Sequence, residues 1–237
     1  MRINYTLIAA FLLIACSCSK PKDIDIDSQK MLENVQILSN DSLEGRYFST
    51  PGNYKAQKFI STKFKEIGLK TVSENNYLQK FPFTFKGQKR QDIFPIDKPK
   101  VDVSKVPDTT AIGGNILGML KGQSNKSIVI TAHFDHLGIK DGKIFNGADD
   151  NASGTAALFT IAEYFKNKPI HHNLIFAAVD AEEIGSLGAE YFLKNYKDKE
   201  NIVLNINLDM ISHSDYDPEL FACGLYHYPN LRKPIRP

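Results

Sequence analysis

Four short polar stretches constrain this chain most, because each follows a run of residues that predicts a buried strand. They occupy residues 133–136, 147–154, 180–183 and 207–209. The carboxyl ends of neighbouring parallel strands meet at one edge of an open α/β sheet, which is where such sheets place their sites. Histidine and carboxylate side chains that share one crevice are suitable ligands for zinc. The pattern therefore predicts a metal site at this edge of the sheet.

The second half of the chain alternates apolar runs with amphipathic segments. We predict strands at 127–132, Asn173–Val179 and 201–208, and helices at Gly154–Phe165 and 186–196. Continuous apolar runs are typical of strands that are covered on both faces. Strands that alternate with helices favour an α/β fold, here a three-layer sandwich with a mostly parallel central sheet flanked by helices.

The first half is less regular. We predict a helix from Ser28 to about Leu38, with Ser28 as its cap, and a long amphipathic helix that ends at Gly68. Alternation of aromatic and polar residues predicts an edge strand at 77–85, and a short strand is expected at 115–120. A further strand is expected to begin near residues 220–222.

The amino terminus predicts export and a lipid anchor. We interpret residues 1–18 as a lipoprotein signal peptide, because the short apolar stretch ends in Leu-Ile-Ala-Cys at Cys16, which resembles a bacterial lipobox. Cys18 and a plain secretory signal are the alternatives. Residues 19–27 are interpreted as a tether and residues 28–237 as one domain. We therefore expect a protein that is lipid-anchored in the cell envelope and faces the periplasm or the outer surface.

Charge gives no support for a nucleic-acid partner. The 29 basic and 27 acidic residues nearly cancel, which leaves a net charge of +2. A nucleic-acid surface is normally marked by a strong basic excess or patch. We expect a peptide substrate and the membrane as the partners, and no nucleic acid.

The polar stretches contain the candidate chemical groups. His133 follows a strand directly, and Asp135 lies close enough to hold its second ring nitrogen, although a structural histidine is the alternative. Glu182 and Glu183 face opposite ways if the segment is extended, so that one can bind metal while the other acts as general base. Such a pair can also be a solvated acidic pair. We predict a zinc hydrolase.

Asp150 and Asp209 have simpler alternatives, because either residue can cap a turn or helix. Asp150, however, lies in a glycine-flanked run of three consecutive carboxylate or carboxamide side chains, which is more than capping requires. All four stretches also fall at the same edge of one sheet.

These motifs resemble the co-catalytic di-zinc aminopeptidases, a metallopeptidase family that includes bacterial leucyl aminopeptidases and is related to glutamate carboxypeptidase and glutaminyl cyclase. The likeness extends to residues 41–46 and 50–52 and covers most of residues 30–226. It implies an exopeptidase that removes amino-terminal residues with a metal-activated water, and a cis peptide after Asp150. It also implies these roles: His133 and Asp209 hold one zinc, Glu183 holds the other, Asp150 bridges them, Glu182 is the base, and Asp135 orients His133.

The chain departs from the family pattern near its end. The resemblance implies a fifth ligand, a histidine on a loop after a further strand and helix, but the sequence ends first. His213 and His227 are not in the family's context. We therefore expect a domain that is incomplete at its carboxyl end, with its last strands missing and an exposed sheet edge. The family resemblance implies two zinc ions, and a single zinc is the alternative for this chain.

Other functions remain open at this stage. One is a catalytically impaired domain that binds zinc or peptide without hydrolysis. Another is glutaminyl cyclase-like activity on the same scaffold. A metallo-β-lactamase-like fold is disfavoured, since its signature places a histidine where this chain has Thr131.

Overall fold

The fold is described by a computed structural model that covers residues 26–72, 76–86, 108–212 and 221–232. Cys16 and the predicted signal peptide lie outside these ranges, so the lipid anchor stays a prediction. None of the helices within them is long and apolar enough to span a bilayer.

Within these ranges four α-helices surround the sheet: α1 (Ser28–Leu38), α2 (Pro51–Ile67), α3 (Gly154–Phe165) and α4 (Leu187–Asn195). The cap of α1 is Asp27 rather than Ser28, because the Asp27 side chain accepts a hydrogen bond from the backbone amide of Lys30. Helix α2 ends as predicted at Gly68, whose φ of 89° is the left-handed conformation that glycine adopts without strain.

The strands within the described residues form a six-stranded sheet and a separate two-stranded one. The main sheet contains β1 (Lys70–Thr71), β2 (Leu78–Phe85), β3 (Thr109–Leu120), β4 (Ser127–His133), β7 (Asn173–Val179) and β8 (Ile202–Asn207). The small sheet pairs β5 (Gly138–Lys140) with β6 (Lys143–Phe145).

The main sheet is mostly parallel in strand direction. Its order is β1-β3-β7-β4-β8, and β2 also pairs with β3. Strand β4 is parallel to both β7 and β8, whereas β3 is antiparallel to β1, β2 and β7. All strands except β3 therefore run in one direction, and β7, β4 and β8 end at the same edge.

Strand β3 is longer than the predicted strand at 115–120. Its first part, Thr109 to Gly114, pairs residue by residue with β2. That part reads Thr-Thr-Ala-Ile-Gly-Gly, so it has neither a continuous apolar run nor a regular apolar and polar alternation. Tertiary pairing, supported by a 3.0 Å contact between the hydroxyls of Thr84 and Thr110, determines its conformation.

Helices cover both faces of the sheet. One core cluster places Ile130 and Phe176 against α1, α2 and α3. Alternate residues of the same strands, among them Val129 and Ile175, pack with Phe192 of α4 on the other face. This alternation produces three layers and confirms the predicted α/β sandwich.

Strand β8 forms one edge of the described sheet. Its Val203 and Ile206 side chains are exposed, as expected for an uncovered edge. The strand expected near residues 220–222 is not formed by Phe221 or Ala222, and residue 220 is outside the described ranges. Phe221 is 86% exposed, so no burial supports an extended strand there.

Candidate metal centre

His133 is the last residue of β4 and is almost completely buried. Its Nδ1 lies 3.1 Å from the backbone carbonyl of Asp135, which can only accept a hydrogen bond. In the neutral ring this bond places the proton on Nδ1, so that Nε2 is the nitrogen that can bind a metal ion. Nε2 lies 3.2 Å from Oδ1 of Asp150 and 3.4 Å from Oδ1 of Asp209. Three acceptor atoms thus converge on one point.

A cation is the natural occupant of that point. Burial lowers the pKa of His133, but the carboxylates of Asp135, Asp150 and Asp209 outweigh it and raise the pKa to about 11. Contact with His133 in turn lowers the pKa of the Asp150 carboxyl. The electrostatic field therefore favours positive charge between these groups, which either a proton or a metal ion can supply.

Asp150 bridges two groups of potential ligands. Its Oδ1 faces His133, while its Oδ2 lies 3.6 Å from Nδ1 of His136. His136 Nδ1 is also 2.7 Å from Oε1 of Glu183. The peptide bond between Asp150 and Asn151 is cis, which confirms the expectation from the family resemblance.

The neighbours of Asp150 hold the segment that carries Asp209. The Asn151 side chain donates to the backbone carbonyl of Leu208 and accepts from the amide of Met210. The Asp149 carboxylate accepts from both the amide and the hydroxyl of Ser212, at 3.0 and 2.8 Å. The run of three polar side chains thus has a positioning function that capping alone does not explain.

Asp135 fixes the loop that contains the glutamate pair. Its two carboxylate oxygens accept the backbone amides of Glu182 and Glu183 at 3.0 and 3.3 Å. Its Oδ1 lies 3.6 Å from Nδ1 of His133, so the shorter contact of that ring is with the Asp135 backbone carbonyl. Asp135 therefore contacts both sides of the site.

Glu183 and Glu182 occupy different positions. Glu183 belongs to the group with His136, whereas Glu182 is in neither group of ligand atoms. Burial raises the pKa of the Glu182 carboxyl. Glu182 instead lines a cleft of about 440 Å³ together with His133 and Asp209.

Arg46 supports the loops from beneath the site and is fully buried. Its guanidinium donates to the backbone carbonyls of Phe134 and Gly147 at 2.7 and 2.9 Å, and also to those of Leu38 and Asn146. Burial lowers the pKa of Arg46 to about 10, so the group remains charged at neutral pH. It joins the loop after β4 to the loop before Asp150.

Asp180 provides a second buried anchor. Its carboxylate accepts from the side chains of Asn53 and Gln57 and from the backbone amides of Gly114 and Ala181. Burial, together with the negative charge of Asp135, raises its pKa to about 7. These bonds attach α2 and β3 to the end of β7.

The residues present fit a two-metal site. One group consists of His133, Asp150 and Asp209, and the other of His136, Asp150 and Glu183. A tetrahedral zinc with ligands at about 2.1 Å separates neighbouring ligand atoms by about 3.4 Å. The separations of 3.2 and 3.6 Å between Asp150 and the two histidines, and of 3.4 Å between His133 and Asp209, are close to that value. Imidazole and carboxylate are also ligand types that zinc accepts.

The structure brings together all six residues predicted for the site, and it adds His136, which the sequence interpretation left without a role. The signal was present in the sequence, since His136 belongs to the His-Phe-Asp-His stretch. Strand periodicity does not reveal where a ring points after the strand ends.

Comparison with known families identifies the chain. The sequence profile described as Peptidase family M28 matches residues 115–234, half of the 237-residue chain. The chain belongs to peptidase family M28. This match includes the four polar stretches that form the site.

Two curated relatives are similar over part of their length. The chain is 26% identical over 182 residues to the alkaline phosphatase isozyme conversion protein of Escherichia coli K12, an alignment that covers 72% of the chain and 48% of the relative. It is 31% identical over 134 residues to aminopeptidase YwaD of Bacillus subtilis, covering 54% of the chain and 28% of the relative. The M28 chain therefore spans half or less of these relatives.

Solved structures share the fold. A zinc aminopeptidase from Bacillus subtilis has a TM-score of 0.58 at 16% identity, over 80% of this chain and 70% of that one. A glutaminyl cyclase from Bacteroides thetaiotaomicron has a TM-score of 0.63 at 18% identity, over 88% of this chain and 70% of the cyclase. At these identities the likeness establishes the architecture of the M28 chain.

Proposed function

We propose that the protein is a zinc-dependent aminopeptidase that releases amino-terminal residues from peptides. The observation that carries the proposal is the convergence of two histidine nitrogens and two further carboxylates on the two oxygens of Asp150. Membership of a peptidase family supports peptide hydrolysis, and the resemblance to an aminopeptidase supports the amino-terminal specificity. Bound zinc would polarise the scissile carbonyl and lower the pKa of the attacking water.

Glu182 is the general base of this proposal. Its carboxylate lies outside both ligand groups and lines the cleft beside His133 and Asp209. It takes a proton from the attacking water as the oxygen adds to the scissile carbonyl, and it returns that proton to the leaving amine as the C–N bond breaks. A pKa that burial raises suits this exchange, because a base is most effective when its pKa approaches the working pH.

Asp135 is a positioning residue. It holds the amides of Glu182 and Glu183, so it fixes the base relative to the ligand beside it. Its backbone carbonyl also sets the tautomer of His133. The resulting geometry presents Nε2 of His133 to the metal.

Replacement of Glu182 by Gln tests the assignment. General-base catalysis contributes roughly 10²–10⁴-fold, so we expect Glu182→Gln to lower kcat by that factor while zinc content is unchanged. Glu190→Gln is the matched control, since Glu190 lines the same cleft and belongs to neither ligand group. Normal activity in Glu182→Gln would overturn the assignment.

Substrates separate the proposal from its alternatives. An aminopeptidase releases free amino acids from peptides with a free amino terminus and leaves acetylated peptides intact. Similarity to glutaminyl cyclases supports a second candidate, which would release ammonia from amino-terminal glutamine without shortening the peptide. A zinc-loaded protein that acts on neither substrate would favour the binding domain without hydrolysis.

The proposed place of action rests on the amino-terminal sequence. The lipobox-like stretch at Cys16 supports an anchored protein in the cell envelope. Cys16→Ser should abolish labelling by a radioactive fatty acid in cells, and unchanged labelling would refute the anchor at this residue.

A further inference from the structure

The hairpin formed by β5 and β6 lies beside the metal centre. Strand β5 follows His136 on the loop after β4, and β6 leads into the loop that carries Asp150. Consecutive Cα atoms are about 3.8 Å apart, so Gly138, which comes two residues after His136, lies within about 8 Å of it. The hairpin therefore extends from the sheet edge that holds the site.

The fold fixes the base of this hairpin. A Cβ added at Gly45 would lie 2.7 Å from the carbonyl oxygen of Gly138, and one added at Gly138 would lie 2.6 Å from Cβ of Tyr47. Arg46 donates to the carbonyl of Asn146, the residue that follows β6. Close packing from residues 45–47 thus sets the position of the hairpin relative to the metal centre.

The outer edges of the hairpin are open. Within the described ranges neither β5 nor β6 pairs with a third strand. Lys140 pairs with Lys143 around residues 141 and 142, whose φ values of 50° and 73° are typical of a two-residue type I′ turn. The pair that flanks such a turn exchanges both cross-strand hydrogen bonds. The next pair, Ile139 and Ile144, therefore directs its N–H and C=O groups outward, where an added strand can bind.

The side chains of the hairpin provide apolar area on one face and positive charge on the other. Ile139 and Ile144 pair across the strands and are 54% and 36% exposed. Successive residues of a strand alternate in direction, so Lys140 and Lys143 lie on the opposite face, where Nζ of Lys140 is 5.7 Å from the centre of the Phe145 ring. Neither lysine forms an ion pair with another described residue. Both charges are available to a ligand.

We propose that the hairpin binds the part of a peptide substrate that follows the cleaved bond, as an extended strand added to its open edge, with a substrate carboxylate near Lys140 and Lys143. The continuity of both hairpin strands with the ligand loops selects the substrate as the occupant. The inference rests on the proposed function and names its substrate class. Addition of a strand to a sheet edge is an established mode of peptide recognition.

The length of the hairpin sets the length of the substrate. Each strand contains three residues, and three extended residues span about 10 Å. The carboxylate therefore belongs roughly three to five residues after the cleaved bond. Either the carboxyl terminus of a short peptide or an acidic side chain of a longer one can supply it.

Peptide length and charge test the proposal on the zinc-loaded protein. The substrates are a leucyl dipeptide amide and leucyl pentapeptides that end in a free carboxylate, in an amide, or in a glutamate amide. We expect kcat/KM to be about tenfold higher for the carboxylate pentapeptide than for the dipeptide amide, because each added hydrogen bond contributes roughly threefold to tenfold. The uncharged pentapeptide should lie between them. The two charged pentapeptides distinguish a terminal carboxylate from an acidic side chain.

Two kinds of variant assign the preference to the hairpin. Ile144→Pro removes an outward N–H and leaves the bonds between Lys140 and Lys143 in place, so it should reduce the ratio of pentapeptide to dipeptide kcat/KM roughly threefold to tenfold, mainly through KM. Ile144→Val keeps the N–H and is its control.

A charge-reversal variant does not depend on how proline is accommodated. The double variant Lys140→Glu, Lys143→Glu should abolish the preference for a carboxylate. Its matched control is Lys121→Glu, Lys126→Glu, which makes the same charge change after β3 and before β4, at the opposite edge of the sheet. Equal zinc content in all variants would show that the metal centre is intact.

Each outcome has a defined meaning. Equal kcat/KM for the dipeptide and the pentapeptides in the wild type would overturn the inference while leaving the peptidase intact, and so would a preference that survives in both hairpin variants. A dimer that the Lys140→Glu, Lys143→Glu protein loses in sedimentation, without any length preference in the wild type, would assign the hairpin to a second copy of the chain instead. Absence of hydrolysis of all these peptides would refute the proposed function together with this inference.

Discussion

The two halves of the metal centre share Asp150 but differ in their exposure to solvent. In the half formed with His133, the Asp209 side chain is 45% exposed. In the other half, His136 and Glu183 are 10% and 16% exposed. Both histidines are buried, since the His133 side chain is 4% exposed, so the halves differ mainly in their carboxylates: Glu183 is enclosed, whereas Asp209 is open to solvent.

The difference follows from the elements that carry the ligands. Asp209 comes after β8, which is an edge strand, and its segment is held by Asn151, which donates to the Leu208 carbonyl and accepts from the Met210 amide. His136 and Glu183 lie on loops that Arg46 and Asp135 fasten from the interior. The loops that carry His136 and Glu183 are therefore held by buried hydrogen bonds, whereas Asp209 follows an edge strand.

The largest effect is expected at the residue common to both halves. Asp150→Ala removes an oxygen from each ligand group, so both zinc ions should be lost and kcat/KM should fall by about a thousandfold or more, given that metal catalysis contributes several kcal/mol. Zinc analysis and peptide hydrolysis measure this. Asp149→Ala is the control, since Asp149 holds Ser212 and is in neither group. Full zinc content in Asp150→Ala would show that Asp150 is not a ligand shared by the two halves.

The next effect concerns the interior support of the enclosed half. Arg46→Lys keeps the charge but cannot serve all four carbonyls, so we expect the free energy of unfolding to fall by about 3 kcal/mol. Urea unfolding of the metal-free protein measures this change. Arg232→Lys, at an exposed arginine, is the matched control and should be neutral. Equal stability of the two variants would show that Arg46 does not fasten these loops.

A smaller effect is expected where the halves meet. Asp135→Asn keeps one side-chain oxygen, so one of the two amides of Glu182 and Glu183 loses its acceptor, and we expect zinc affinity to fall roughly 10–100-fold, as for other groups that position ligands. Competition with a chelator measures the affinity. Asp141→Asn, in the exposed turn between β5 and β6, should leave it unchanged. Unaltered zinc affinity in Asp135→Asn would show that Asp135 does not position the metal ligands.

The effect least connected with the metal ligands is a pH dependence of stability. The folded-state pKa of Asp180, about 7, is above its ordinary value of 3.8, so the folded state binds more protons between these values. The free energy of unfolding of the metal-free protein should therefore decrease as pH rises from about 4 to about 7, and should be level above that range. Asp180→Asn should lack this component. A variant with the wild-type profile would assign the titration to another group.

Much of the architecture could be predicted from the sequence. Apolar runs predicted β4, β7 and β8. The polar residues after these strands predicted the site at the sheet edge where the carboxyl ends of the strands meet. The early part of β3 could not be predicted, because its conformation depends on pairing with β2 rather than on its own pattern.

The site was predictable in its residues but not in its connections. His136 was visible beside His133, yet its position depends on the close approach of Gly147 and on Arg46, which is 90 residues earlier in the chain. The function of Asp149 and Asn151 depends equally on contacts with residues 208–212. Such long-range contacts leave no periodic signal in the sequence.

The most direct measurement is a crystal structure of the zinc-loaded protein with anomalous diffraction at the zinc edge. We expect two anomalous peaks about 3.5–4 Å apart on either side of Asp150, with His136 Nδ1 about 2.1 Å from one of them. A single peak at His133, with His136 turned away from Glu183 and Asp150, would contradict the two-metal centre described for this chain.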